Sequence, residues 1–349
     1  MPISGTGVVP SGAIFSELAA ATRRAFVPQL VVQLYFASPS LFYMMGNAQK
    51  AAGGLNQVTV PVQGQSMVQG NFTGYGGGFP QPVVIPGVQN GQWNLAYWVV
   101  PIPIPFGESV IQSTETVIPI LKARMNDAYA VTKQKMATLL YTNNSSNPLF
   151  PDSFQSAFDN GTNFATYGGI NRNTAGNSFW QGQYINMAAA PFTGFSISTL
   201  GMNRQSMATL IAKVTDAAGG EKPTAIVMNP GDYSTLNNSI TGVENVYVTP
   251  DKEYGGSSAV IRSTFTCIFI SGVPIFADHF IPQGNMFIFN AKYTAMYLSE
   301  DAAFDFSGFQ SLIPLNQIGQ QGIVVCGYDL ISTKPVSGAW AFGLGGNAF

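Results

Sequence analysis

Apolar residues recur along this chain at two periods, and the switches between them mark out its elements. Ile14, Leu18, Ala21 and Ala25 fall at spacings of four, three and four, which predicts an amphipathic helix over 12–27, capped by Ser11 and stopped by Pro28. From residue 57 the period is two. Val58, Val60 and Val62 alternate with polar residues, GNFTGYGGGFP follows, and a second run sets Trp93, Leu95, Tyr97 and Val99 on one face. Two strands joined by so long a tip predict an extended arm rather than a compact unit.

The arm ends in PIPIPF. Prolines at 101, 103 and 105 would strip the N–H donors from one edge of a strand and leave the other edge intact. A short polyproline II segment fits the same residues. A helical period then returns from Glu108 to Tyr141, with Ile118, Leu121, Met125, Ala128, Thr132, Met136 and Leu139 in one stripe. Lys122, Arg124, Asp127, Lys133 and Lys135 lie mainly on other faces, and Pro119 starts the regular part or kinks it. About 24 such residues would span ~36 Å, the length of a strut.

Residues 200–218 predict a third helix ended by Gly219-Gly220, Thr224–Met228 a buried strand, and Pro230 with Asp232 a short helix to about Asn238. Residues 265–298 read as strands broken at Gly272-Val273-Pro274 and Pro282-Gln283-Gly284, and Ile323–Ile331 as the last strand. No internal repeat and no regular β-α-β alternation occur, so the predicted class is α+β.

Composition changes the picture in one respect. Of 349 residues only 9% are charged, against a usual ~25%. Asn (24) and Gln (21) take the place of charge, and Glu17, Arg23, Arg24 and Lys50 are the only charges before Glu108. Such a surface is covered by lipid or by other protein. No apolar run reaches ~18 residues, and MPISGTGVVPSG lacks the basic-then-apolar order of a signal peptide. A barrel ending at Phe349 would need an apolar band at Asn347, Gly345, Gly343 and Ala341, and those residues make none. Protein is therefore the expected cover, and no membrane partner is expected. The net charge of −2, with no basic run, gives no support to nucleic-acid binding. Cys267 and Cys326, far apart in apolar runs, read as two buried thiols or as a disulfide.

The supply of reactive groups argues against catalysis. His279 is the only histidine, and its neighbour Asp278 would point to the opposite face of a strand. There is no G-x-S-x-G elbow, no zinc spacing, no EF-hand pattern around Glu300, Asp301 and Asp305, and no Lys-Ser/Thr after GYGGG at 74–78. The Asn-x-Ser/Thr triplets, such as those at Asn71 and Asn160, carry little weight in so Asn-rich a chain. No enzyme activity, cofactor or metal is expected.

The stretch YGGINRNTAGNSFWQGQ (167–183) is a flexible joint with an aromatic end. Gly168 and Gly169 permit a bend, and Phe179 and Trp180 would pin the far end into a core. Arg172 reads either as a surface residue bonding to carbonyls or as a contact to a neighbouring subunit.

The order of these parts resembles the major capsid protein of tailed bacteriophages, the Hong Kong 97 type. AFVPQLVVQLYFASPSL (25–41), YGGINRNTAGNSFW (167–180), KPTAIVMNPGDYSTL (222–236) and GVPIFADHFIPQGNMFIFN (272–290) carry the likeness, which with the element order covers nearly the whole chain. The resemblance implies an N-terminal arm at 1–56 and an E-loop at 57–107 lying across a neighbouring subunit. It implies a peripheral domain at 108–195 with a spine helix at 108–141, an axial domain at 196–298, and a return to the peripheral domain at 299–349. Phe72, Tyr75, Phe79, Trp93, Tyr97, Trp98 and Arg172 become candidate inter-subunit contacts.

The implied partners are copies of the chain in pentamers and hexamers, with portal, scaffold and decoration proteins, and packaged DNA by weak proximity only. The implied location is the virion, assembled in the host cytoplasm. Some members crosslink through an E-loop lysine; residues 57–107 contain none, so a shell of this chain would be held by non-covalent burial or by a decoration protein. An enzyme-enclosing nanocompartment of the same fold is the alternative, and a secreted β-rich hydrolase or adhesin the rival from another class.

Overall fold

The computed structural model describes residues 38–51, 56–64, 87–105, 114–142, 149–189, 203–241, 267–311 and 319–344. The helix expected at 12–27 and the aromatic residues Phe72, Tyr75 and Phe79 lie outside them.

Helix and sheet are mixed. Helix α1 (Pro39–Gly46) leads through β1 (Gln49–Ala51) to the ribbon β2 (Gln57–Gln63) and β3 (Val88–Asn94), then β4 (Ala96–Pro105). The long helix α2 (Thr114–Tyr141) follows, then α3 (Phe154–Phe158), the small hairpin β5 (Thr166–Tyr167) and β6 (Ile170–Asn171), and β7 (Gln183–Asn186). Next come α4 (Arg204–Ala217), β8 (Ala225–Met228), α5 (Pro230–Thr241), β9 (Cys267–Ile270), β10 (Val273–Ala277) and β11 (Asn285–Phe289). The last strands are β12 (Thr294–Ser299), β13 (Asp305–Ser311), β14 (Gly319–Ser332) and β15 (Ala339–Phe342).

Two sheets carry the body. The six-stranded sheet has the order β7-β15-β11-β8-β10-β9; the five-stranded sheet runs β1-β12-β14-β13, with β4 also paired to β14. The runs AIVM and MFIF in the first sheet are apolar throughout because both faces are covered. Val227, Phe287 and Phe289 join the core shared with α1, α2, α3 and the second sheet, while Ile226, Met228, Met286 and Ile288 pack under α4 and α5. The strands β7 and β15, from 183–186 and 339–342, complete the sheet whose middle comes from 225–289.

The long helix has 28 residues, or ~42 Å. Met125, Thr132, Met136 and Leu139 from its predicted stripe are buried, and the helix begins at Thr114 with Pro119 inside it. Helix α4 ends as its glycines required. Gly219 and Gly220 have φ of 79° and 92°, and the Gly220 amide donates to the Thr215 carbonyl at 2.8 Å. The break expected at Gly272-Val273-Pro274 sits one residue earlier: Ser271 and Gly272, both with positive φ, form the hairpin tip, and Val273 and Pro274 belong to β10.

At β3 and β4 the observed pattern departs from the predicted one. A single face holding Trp93, Leu95, Tyr97 and Val99 is not found: Trp93 and Leu95 are buried, whereas Tyr97 and Val99 are 46% and 49% exposed. The chain changes partner at Leu95, from β2 to β14, and the alternation restarts there with Ile102 and Ile104 inward against Met125 and Ala128 of α2. The proline segment is a ladder strand, not polyproline II. The carbonyl of Pro103 accepts from Arg124 Nη1 at 2.7 Å, so Pro103 faces away from β14, and by alternation Pro101 and Pro105 do the same. The stripped edge is the outer one.

Helix α1, the end of α2 and the six-stranded sheet meet at Asp278, just after β10. Its Oδ2 accepts from the hydroxyls of Ser38, Ser40 and Tyr141, the last at 2.9 Å, and Oδ1 accepts the Phe280 amide at 3.0 Å. Ser38 also caps α1, and Ser40 contacts the Tyr141 hydroxyl. All four residues are buried, and the phenol of Tyr141 is held well above its usual range, first by burial and then by Asp278. Asp278→Ala leaves three buried hydroxyls without their acceptor and is expected to destabilise the chain by about 2–4 kcal/mol, with Asp278→Asn milder. Chemical denaturation reads both, and an Ala variant as stable as wild type would contradict the account.

Candidate functional site

No constellation for catalysis emerges from the described residues. Asp278 is enclosed by hydroxyls, while His279 is exposed with its ring edge-on to Phe280 at 5.7 Å. No group of three metal-ligating side chains occurs among the described residues, and no described helix is long and apolar enough to cross a membrane. Both cysteines are free thiols rather than a disulfide, and burial pushes Cys326 up to about 12.

What the structure does build is a two-stranded ribbon seated on its own body. β2 and β3 pair over seven residues, from Gln57↔Asn94 to Gln63↔Val88, and the outer end at Gly64 and Gly87 leads into the segment carrying Phe72, Tyr75 and Phe79. Val58, Val60 and Val62 rest half-buried on the core side. At the inner end Trp93, 2% exposed, wedges between Tyr167 and Trp180 with ring centroids at 5.6 and 6.2 Å. A Cβ on Gly168 would stand 2.6 Å from the Trp93 ring, so this turn residue is glycine for space as well as for its φ of 55°. The Gln92 amide donates to the Gly168 carbonyl at 2.8 Å, and Gln89 Nε2 to Asn177 Oδ1 at 2.9 Å. Phe179 lies against Gly64 at the far end of the ribbon. The ribbon's seat is therefore its own subunit's 167–180 segment.

That segment is itself held by Arg172. The side chain is fully buried, and its guanidinium donates to the carbonyls of Ala157 (2.7 Å), Trp180 (3.1 Å) and Phe164 (3.4 Å) while lying 4.8 Å from the Tyr167 ring centre. Burial brings its pKa down to about 10, opposed by Tyr167, Asp159 and Asp152. The surface position expected for Arg172 is corrected: it bonds to carbonyls, but inside its own chain, because the Asn-rich loop closes over it. Trp180 is fully buried and donates Nε1–H to the Tyr167 carbonyl at 2.9 Å, the pin predicted for the end of this stretch.

Of the seven residues singled out from sequence, Trp93 and Arg172 thus serve the seat of the ribbon. Trp98 turns toward α2, where Lys135 Nζ lies 6.0 Å from its ring. Tyr97 is open to solvent beside Val99. The Asp278 junction was not foreseen; its one sequence signal is Ser38-Pro39, an N-cap followed by proline at the first helical position.

Arg172→Lys is expected to cost about 2–3 kcal/mol, since one ammonium cannot reach three carbonyls spread around a planar fork. Denaturation measures it, and an unchanged midpoint would contradict the assignment. Trp93→Ala is expected to free the ribbon, seen as faster proteolysis within 57–94, and to cost about 3 kcal/mol. Equal cleavage rates in variant and wild type would show that the indole does not seat it.

No protein-family model and no curated protein matches the sequence. Solved structures do. The capsid asymmetric unit of cyanophage A-1(L) superposes with a TM-score of 0.66 at 14% identity, over 89% of this chain and 93% of that one. The capsid of a native GTA particle gives 0.53 at 10% identity, over 87% and 89%. The SrpI encapsulin of Synechococcus elongatus gives 0.52 at 10%, over 88% of each chain. The chain has the fold shared by these phage-capsid and encapsulin shell proteins.

Proposed function

We propose that this chain is the shell-forming subunit, the major capsid protein, of a tailed bacteriophage, and that it encloses double-stranded DNA. The observation that carries the reading is the likeness to an assembled capsid subunit over nearly the full length of both chains. The charge-poor surface and the solvent-facing Tyr97, Val99 and Val88 support it, because a free monomer gains nothing from apolar residues there. In this reading the ribbon is the base of the E-loop and α2 the spine helix. Residues 1–56, 108–195, 196–298 and 299–349 keep the roles of arm, peripheral domain, axial domain and return. Tyr97, Phe72, Tyr75 and Phe79 face neighbouring copies. Portal, scaffold and decoration proteins complete the particle, which forms in the host cytoplasm. A nanocompartment shell is the second reading, favoured by the encapsulin match.

Purified protein viewed by electron microscopy is expected to form uniform hollow particles without added DNA. Monomers in every buffer would overturn both shell readings, and co-purification with one bound enzyme would favour the second. With no lysine at 57–107, the particles are expected to dissolve in SDS to single chains of 37.1 kDa. A ladder of covalent oligomers would contradict non-covalent assembly.

A further inference from the structure

Where α3 meets β14, two acidic residues that the shell reading does not use are joined through a main-chain amide. Asp329, 2% exposed on β14, accepts at Oδ1 from the Asp152 amide (2.7 Å) and the Leu330 amide (2.9 Å). The Asp152 carboxyl accepts from Ser156 Oγ at 2.9 Å, within the first turn of α3. The groups around the pair offer it little countercharge. Arg172 is directed to the three carbonyls named above. Asp159 is filled by the amides of Gly161, Asn163 and Phe164, and the Tyr167 hydroxyl is held between the Ser332 amide and the Leu330 carbonyl. Tyr297 stands across the ladder from Asp329, and Lys135 of α2 is turned to the rings of Phe150 and Trp98.

We propose that Asp152 and Asp329 form a proton-dependent latch that fastens the start of α3 to β14, closed when the pair keeps a proton and loosened when both carboxyls ionise. Asp329 is buried and Asp152 half-buried, and two like charges on residues joined at 2.7 Å through an amide cannot both be ionised cheaply. Burial raises both acids above the ordinary carboxylate range, Asp152 to about 6 and Asp329 well above, the latter raised further by Asp152. Because the folded chain holds these protons more tightly than the unfolded one, their stabilising effect is complete in acid. It is lost as pH rises through about 6 and then through the higher value of Asp329. The latch is independent of what the chain encloses.

The test is thermal denaturation of the full chain from pH 5 to 9, with the assembly state matched by light scattering, alongside infrared detection of protonated carboxyl groups. Wild type is expected to melt several degrees lower at pH 8 than at pH 5.5. Asp329→Asn, which keeps an oxygen for both amides, is expected to flatten that slope, to melt at or above wild type at pH 8, and to lose a protonated-carboxyl band at pH 7. Asp232, a buried acid elsewhere raised to about 6 by burial, is removed in parallel as Asp232→Asn to identify its share. If Asp329→Asn does not fold, Asp152→Asn and the wild-type infrared titration decide. A wild-type melting point flat or rising over this range, or a band and slope unchanged by replacing either member of the pair, overturns the latch.

Discussion

A single buried carboxyl holds the body of this protein together. Asp278 follows the last residue of β10, and its neighbours come from sequence distances of 137 to 240 residues. One of its oxygens fixes the cap of α1, the C-terminal turn of α2 and an end of the six-stranded sheet to one another. Apolar packing can bring these parts together but does not orient them, since burial of area has no direction. Hydroxyls aimed at one oxygen do have direction, and burial makes each of them costly to leave unpaired. The aromatic layer beneath, with Tyr141 against Phe154 and Phe287, then packs in one arrangement.

The same logic governs the ribbon. A two-stranded ribbon is not stable alone in water, so its direction has to come from its seat. Trp93 supplies the apolar wedge, and the Gln92–Gly168 bond fixes its depth. Arg172 stiffens the loop that receives it. A guanidinium is a costly group to bury, and three carbonyls gathered around it offset that cost here. In the proposed shell, such a seat would let the arm reach a neighbour without searching a wide range of angles.

How much of this the sequence discloses depends on the range of the interaction. Helix α4 and its Gly-Gly stop, the buried strand at 225–228 and the core role of Trp180 were legible because each is set by neighbouring residues. The face of Tyr97 was misread because alternation holds only within one strand, and the switch of partner at Leu95 leaves no local mark. The site of Arg172 was open in sequence for a similar reason: arginine beside three asparagines looks solvated until the 157–164 carbonyls are placed around it. Asp278 was dismissed together with His279, since its partners at 38, 40 and 141 have no sequence relation to it. The 7-residue β13 was passed over because Gly308 and a register shift between Phe306 and Phe309 spoil its period.

The outer strands of the five-stranded sheet bear on how copies of this chain can meet. An open strand edge recruits any passing strand, and a protein held at the high local concentration of a growing shell is most exposed to that error. Here β4 turns its prolines outward, β13 is interrupted by a bulge, and the three-residue β1 carries Lys50, the only charge between Arg24 and Glu108. Three different devices close the rim of a sheet whose α2-free face still shows Tyr97 and Val99. In the proposed shell, with these edges closed and a face left apolar, this sheet would meet a second copy face-on. Face-on contacts are set by shape and area, and they tolerate the small changes of angle that a closed shell requires of identical subunits, whereas a hydrogen-bonded ladder between strands would fix one register and one twist.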